Sequence, residues 1–441
     1  MRKIDLQFDT SNISAASMLG SAALHALLGI LLLLRRQMML SIFHRALSAT
    51  LALIALLGFV SFLFGKSSDL RQWRQLVTGG AALAGFMLSL NDQRVVALMP
   101  LALGFGSAAS GLLLLVTCSL KRANNEWVSV GALLSGVAFS ACGLALFFSP
   151  ISTIGMALNL MSAYCLMAAV SRIFDFLDER RPISPEERSK RRLHVNRPGY
   201  MLLFEPRRQR RKLLQYQKRR RKGRQDLDED DDGAHGSENE SDGRYDFEIL
   251  IHATEKGLGS IGHMDICFED TIRTYGPYDW DSHRFKGILC RGVLVVAKGR
   301  DRYIEFCTKY SKKTVFCFGL RLSERQRERV RESIAELMEE AVVWQSPARR
   351  DPDGEHQDYA SAIQTALDAQ LFHFARGTFH TFFMGGINCC ALADRIVGSL
   401  GTGVLSMNTL LTPGAYFSYL DREYRRPNSI VVSKEAFRAD E

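Results

Sequence analysis

Charge is missing where it would be most informative. Six apolar runs in the first third, at 13–34, 46–64, 76–90, 95–120, 127–148 and 151–170, contain no Asp, Glu, Lys or Arg. No ion or proton pathway across a bilayer is therefore marked by an intramembrane charge. Also missing is any C-x-x-C pair among the 9 cysteines, whose odd number and irregular spacing exclude a disulfide framework and a zinc ribbon. Reduced thiols, and with them a cytosolic C-terminal region, are the expectation. The averages, 47% hydrophobic and 23% charged, describe an ordinary soluble protein. The segregation of those residues along 441 positions excludes both a single soluble globule and chain-wide disorder.

A transmembrane helix needs about 20 mostly apolar residues. The runs therefore predict a multi-pass α-helical membrane domain of about six spans over residues 10–175. The third run is short. The first is not read as a cleaved signal, because its apolar stretch is long, no small-residue cleavage site follows, and further spans come after it. Six spans put both ends on one side. Arg2, Lys3, Lys66, Arg71, Arg74, Lys121 and Arg122, with the dense basic residues after the last span, outweigh Arg35, Arg36, Arg45 and Arg94 on the other side. By the positive-inside rule the ends are cytosolic. His25 is expected to be a packed, hydrogen-bonded histidine. Without a charged marker in any span, the region reads as an anchor or sensor. Trp73 and Trp127 each open a Gly-rich pair of spans that breaks at a short polar connection, Asn91-Asp92-Gln93-Arg94 and then Ser149-Pro150. This weak repeat resembles the HdeD-like family of small six-span membrane proteins.

Between residues 172 and 224 there are 19 Lys/Arg against 6 Asp/Glu. The cluster from Arg207 to Lys222 suits anionic lipid headgroups on the cytosolic leaflet. It has no interleaved aromatic platform or base-reading motif, so nucleic acid is not the expected partner. Residues 226–232 are nearly all acidic and lead into Gly, Ser and Asn. Residues 176–244 are accordingly read as a disordered linker, basic and then acidic.

Residues 245–435 read as a separate α+β domain. Short β-branched and aromatic runs at 247–252, 263–268, 288–296, 303–308 and 314–320 predict strands, with Glu269-Asp270 as a hairpin tip. Ser323 and Gln326 form a capping box ahead of Val330, Ile334, Leu337, Met338 and Val342 at helical spacing. Further helices are predicted near Cys389 and at Thr412-Pro413. Cys267, Cys290, Cys307, Cys317 and Cys390 are expected to be buried structural thiols.

Two segments carry possible chemistry. In Gly262-His263-Met264-Asp265, a histidine opens a strand; in Gly385-Gly386-Ile387-Asn388-Cys389-Cys390, a cysteine stands at a loop-to-helix junction. Free N–H groups and the dipole at a helix start favour a thiolate and can stabilise an oxyanion. An imidazole alongside completes an activated nucleophile. A zinc site from His373, His380 and Cys389 has no recognised ligand spacing.

The order histidine then cysteine, with G-H at a strand start and N-C at a helix start, resembles circularly permuted papain-like cysteine hydrolases. These include NlpC-type amidases and lecithin–retinol acyltransferase-like enzymes. The resemblance covers about residues 245–435 and implies a permuted papain-like fold, Cys389 as nucleophile, His263 as base and no cofactor. The acyltransferase branch places a further polar residue about twelve positions after the histidine. Here that position is Tyr275, where the family carries histidine or a carboxylate; Asp265 and Thr274 are the other candidates for the orienting role. The expected function is a membrane-tethered cysteine hydrolase acting on an unidentified peptide or acyl substrate. An acyltransferase or lipase of the same fold, or a non-catalytic membrane sensor with a degenerate domain, are the alternatives.

Overall fold

A computed structural model describes residues 2–4, 15–64, 69–89, 92–180, 202–225, 246–255, 257–398, 412–426 and 429–438. They fall into two compact units. One comprises Leu19–Leu112 and Leu133–Ile173; the other joins Leu113–Ala132 to Phe174–Glu441 and the N-terminal residues.

The first unit is helical. Among the described residues, five helices are long and apolar enough to cross a membrane: Ala16–Leu34, Arg36–Phe62, Leu98–Ala123, Val130–Phe148 and Ile154–Phe174. The third run of the sequence also forms a helix, Asp69–Ser89. It is not among the five, because Asp69, Arg71 and Arg74 occupy its first two turns and shorten its apolar part. The loop expected between the first two spans is also absent. Arg36 opens the second helix, and Met39 N–H bonds Arg35 O at 3.0 Å, so Arg36 and Arg45 are helical. Small residues set the helix spacing, as in membrane helix pairs, where close backbone approach replaces a hydrophobic driving force. A Cβ on Gly143 would lie 2.2 Å from the Ala108 nitrogen, and one on Gly58 would lie 2.8 Å from Gly79 Cα. His25 Nδ1 bonds Ser21 O at 2.7 Å, the packed role expected of it.

The second unit is built on a nine-stranded sheet. Its strands are β1 (Arg2–Ile4), β2 (Phe247–Ala253), β3 (His263–Phe268), β4 (Thr271–Gly276), β6 (Val293–Lys298), β7 (Thr314–Leu320), β8 (Ala341–Trp344), β9 (Gln370–Phe374) and β11 (Val431–Arg438). They run in the order β1-β11-β7-β2-β3-β4-β6-β9-β8, every pair antiparallel. Two short strands, β5 (Leu289–Arg291) and β10 (Thr381–Phe383), pair separately. Strand alternation divides the core. Ile249 and Ile251, Met264 and Ile266, and Phe316 and Phe318 face one layer of helices; Leu250, Cys267, Val315 and Cys317 face another. The first layer comprises Glu205–Gln225, Glu324–Glu339, Cys389–Val397 and Pro413–Tyr424; the second comprises Arg300–Lys309 and Tyr359–Leu367. Fully burying a side chain such as Phe417 or Ile304 stabilises by about 1.5–3 kcal/mol, so both layers are needed to close the sheet.

Three expectations change here. The segment 303–308, read as a strand, lies in the helix Arg300–Lys309. Gly299 at φ 89° turns the chain, and Asp270 Oδ1 accepts the Arg300 N–H at 2.8 Å. Tyr303, Ile304, Phe306 and Cys307 then form a helical apolar face whose β-prone composition resembled a strand. The basic half of the supposed linker is the helix Glu205–Gln225, with Leu213 fully buried. Arg207, Arg210 and Arg211 converge on Glu255, whose carboxyl is held down to about 2, chiefly by Arg211. The compact unit is thus larger than 245–435. Residues 181–201 and 226–245 lie outside the described residues.

Candidate active site

Three backbone features bring the polar residues together. The helix Cys389–Val397 lies against β3, the β3–β4 hairpin turns at Glu269 and Asp270 with φ of 51° and 55°, and β2 runs antiparallel to β3. The two-residue tip sets the register, pairing Asp265 with Thr274, while β2 pairs His252 with His263. Alternation then puts His252, His263, Asp265 and Thr274 on one face.

Cys389 is the first residue of its helix. Asn388 caps that helix, its Oδ1 accepting the N–H groups of Cys390 at 3.0 Å and Ala391 at 3.1 Å. Those two donors are therefore unavailable to a thiolate or an oxyanion, and the Cys389 N–H is the first-turn donor that Asn388 leaves. The β3–β4 ladder ends at Asp265–Thr274, one residue short of Met264, and the Met264 N–H hydrogen-bonds the Cys389 sulphur.

His263 is hydrogen-bonded to the same sulphur. Its Nε2 faces three oxygens: Thr274 Oγ1 at 2.7 Å, Tyr278 OH at 3.0 Å and Asp265 Oδ1 at 2.9 Å. Thr274 and Tyr278 are bonded to each other at 2.9 Å. Asp265 Oδ1 meets the ring as a charge contact, off the N–H direction that the hydroxyls occupy. The other carboxylate oxygen, Oδ2, lies 2.6 Å from His252 Nε2 and accepts Tyr303 OH at 2.6 Å. His252 Nδ1 is buried without a hydrogen-bond partner.

Charge follows from this arrangement. Burial pushes the His263 pKa down, but the Asp265 and Cys389 charges outweigh it and carry it up to about 10. Burial likewise opposes the charge on Asp265, and His263 and His252 overcome it, holding the carboxyl well below its usual range. His252 is lowered by burial despite Asp265 and is neutral near pH 7. The Cys389 thiol is held well below the ordinary value, first by the Cys390 thiol that hydrogen-bonds it, then, against burial, by the His263 charge and the Met264 N–H. Since S–H is a weak donor, the imidazolium is the physically stronger cause. Cys390 is raised by burial, as are Cys267 and Cys290, each to about 12, and Cys307, to about 11. Among these buried C-terminal thiols, Cys389 is the one shifted towards thiolate.

Cys389 and His263 are brought together; Tyr275 packs in the same core layer as Cys389, but its hydroxyl is not directed at His263. Its buried hydroxyl donates to Phe379 O at 2.9 Å. The physical reason is parity: the register that pairs 265 with 274 sets 275 opposite 264, so Tyr275 shares the face of Met264. The oxygens around His263 are Asp265, Thr274 and Tyr278. His252 is buried against Asp265. Asp265 and Thr274, the other candidates read from the sequence, also follow from counting back from the hairpin tip; Tyr278 and Tyr303 come from a loop and a helix that no local pattern places there. His373 Nδ1 is taken by Gly292 O and His380 Nδ1 by Phe374 O. Among the described residues, no three His, Cys, Asp or Glu side chains cluster as metal ligands.

The chain matches no family model, no curated protein and no solved structure.

Proposed function

We propose that the chain is a membrane-anchored cysteine hydrolase of the permuted papain-like type. The observation that carries this reading is the Cys389 thiol at a capped helix start beside His263, whose Nε2 lies 2.9 Å from the buried Asp265 carboxylate. The thiolate attacks the carbonyl carbon of an amide or ester, and the carbonyl electrons move to oxygen, within reach of the Cys389 N–H. The tetrahedral intermediate collapses as the His263 imidazolium gives its proton to the leaving amine or alcohol, producing an acyl thioester. Water then attacks the thioester and loses a proton to His263, and the C–S bond breaks to release the acid and restore the thiolate. Asp265 stabilises the imidazolium throughout, with Thr274 and Tyr278 holding the ring.

The excess of Lys and Arg in the connections read as inward supports a cytosolic side for this domain. Arg207, Arg210 and Arg211 are engaged with Glu255, so headgroup binding falls to the remaining cations of the block, such as the exposed Lys212. The test is acyl-thioester capture: the purified full chain is incubated with activated acyl esters and digested, and a mass increment is sought on the Cys389 peptide. Acylation that Cys389→Ala abolishes and Cys390→Ala spares supports the reading. No acylation in the parent, or acylation of both cysteines alike, makes the domain a binding module.

A further inference from the structure

We infer that the loop 280–289 is a membrane-contacting tip that lays Trp280 and Phe285 on an anionic bilayer surface. Trp280 is 64% exposed and Phe285 76%, and Ile288 beside them is also exposed. The backbone is held in an unusual shape to present them. Phe285, Lys286 and Gly287 take φ of 51°, 58° and 84° in succession, and the turn is closed by Arg284 N–H to Leu289 O at 2.8 Å. A bulky residue in left-handed conformation is a steric outlier whose strain must be maintained by its surroundings. Here that strain leaves an aromatic ring largely in solvent.

Charge names the occupant. Arg284, Lys286 and Arg291 flank these residues in sequence, are exposed, and make no salt bridge among the described residues, although the Arg291 charge reaches Asp279. The neighbouring carboxylates are engaged elsewhere, Asp281 with Arg350 at 3.3 Å and Asp279 with His373 at 3.4 Å. Exposed aromatic rings on a loop that also carries exposed cations match the acyl–headgroup boundary of an anionic leaflet. Continuity points the same way. Met384 N–H donates to Ile288 O at 3.0 Å. The next residues of that turn, Gly385 and Gly386, lie so close to Leu113 and Thr117 that an added Cβ would come within 2.6 and 2.1 Å of them. Leu113 and Thr117 belong to Leu98–Ala123, one of the helices able to cross a membrane. The turn that leads into Cys389 thus touches Leu113 and Thr117, residues of the same compact unit, and is bonded to the aromatic loop.

The inference is independent of the chemistry at Cys389. To test it, the full chain is reconstituted into phosphatidylcholine vesicles, with and without phosphatidylglycerol, carrying brominated acyl chains. The Trp280 signal is the difference between the parent and Trp280→Phe, which removes the other three tryptophans from the measurement. The expected result is a blue-shifted Trp280 component that brominated lipid quenches more strongly when phosphatidylglycerol is present. Arg284→Gln/Lys286→Gln/Arg291→Gln should weaken that quenching. A Trp280 component quenched by aqueous iodide and untouched by brominated lipid overturns the inference. So does lipid quenching indifferent both to phosphatidylglycerol and to the triple substitution, since the anionic surface would then play no part.

Discussion

The helical unit and the sheet unit obey opposite rules about where polarity goes. In the helical unit, large apolar side chains such as Leu24, Phe59 and Phe105 face outward, and the close contacts are glycine against backbone. In the sheet unit, apolar residues are inside, and the most deeply buried features include a carboxylate between two histidines. A bilayer replaces water as solvent for the first, so a run of residues is enough to define it. The second must satisfy every buried charge with a partner from another segment. Each substitution below tests one side of that contrast.

The largest effect is expected at Cys389 and His263. Cys389→Ala and His263→Ala should abolish turnover to the same extent, since members of a catalytic unit are not additive. In the parent, alkylation of Cys389 should begin well below the ordinary thiol pKa of about 8.5. The rate should fall on the acid side as the thiol protonates, and change again on the alkaline side as His263 loses its proton near about 10. His263→Ala should move the onset up towards an ordinary thiol, as read by peptide mass against pH. An unchanged profile would sever the pair.

Asp265→Asn comes next. It keeps the shape and removes the charge that raises His263, so turnover should drop by about 10²–10⁴-fold and the His263 titration, followed by NMR, should move down. Tyr275→Phe should leave that titration in place and cost only the bond to Phe379 O, about 1–3 kcal/mol of stability. The reverse pattern would restore Tyr275 as the orienting residue.

Stability tests the contrast between units. A chain beginning at Gly243 loses Leu213 from the core, together with the arginines on Glu255. Compared with one beginning at 202, it should unfold at lower denaturant by about 2–5 kcal/mol, the usual cost of removing a buried leucine. Equal midpoints would return the boundary to residue 245. In the helical unit, Gly143→Leu should lower the thermal midpoint in detergent, because the Ala108 backbone occupies the space, whereas Leu24→Ala on the outer face should not.

The last expected change is a gain. Burial raises the Asp394 carboxyl to about 6, partly offset by the bond from Tyr416 OH. A carboxyl raised above its unfolded value of about 3.9 lowers stability as pH rises from about 4 to about 6, and the loss is complete above that. Asp394→Asn should therefore stabilise the protein by about 2–3 kcal/mol at neutral pH and by little at pH 4. A loss at neutral pH would show that the carboxylate is needed in its charged form.

Much of this was legible in the sequence. The five spans and the strands at 247–253, 263–268 and 314–320 follow from local periodicity, as do the helix starts at Ser323, Asn388 and Thr412. These are decided by neighbours in sequence: an apolar run long enough for a bilayer, an alternating strand, a side chain that caps the N–H groups just after it. The strands at 341–344 and 431–438 were not legible, because one is short and half exposed and the other is broken by Ser433, Lys434 and Glu435.

The sequence by itself determined which residues are capable of chemistry: a cysteine at a capped helix start, a histidine at a strand start, and Asp265 and Thr274 on that histidine's face once the hairpin is counted. Only the tertiary structure decided which of them meet. It put the Cys389 sulphur where the β3–β4 ladder opens at Met264, placed His252 and Tyr303 on Asp265, and sent Tyr275 to the other side of the sheet. Composition and spacing specify local geometry, whereas the pKa of a buried group depends on charges delivered by segments far apart in the chain, and those distances exist only once the sheet has set its register and the helices have docked on its two faces.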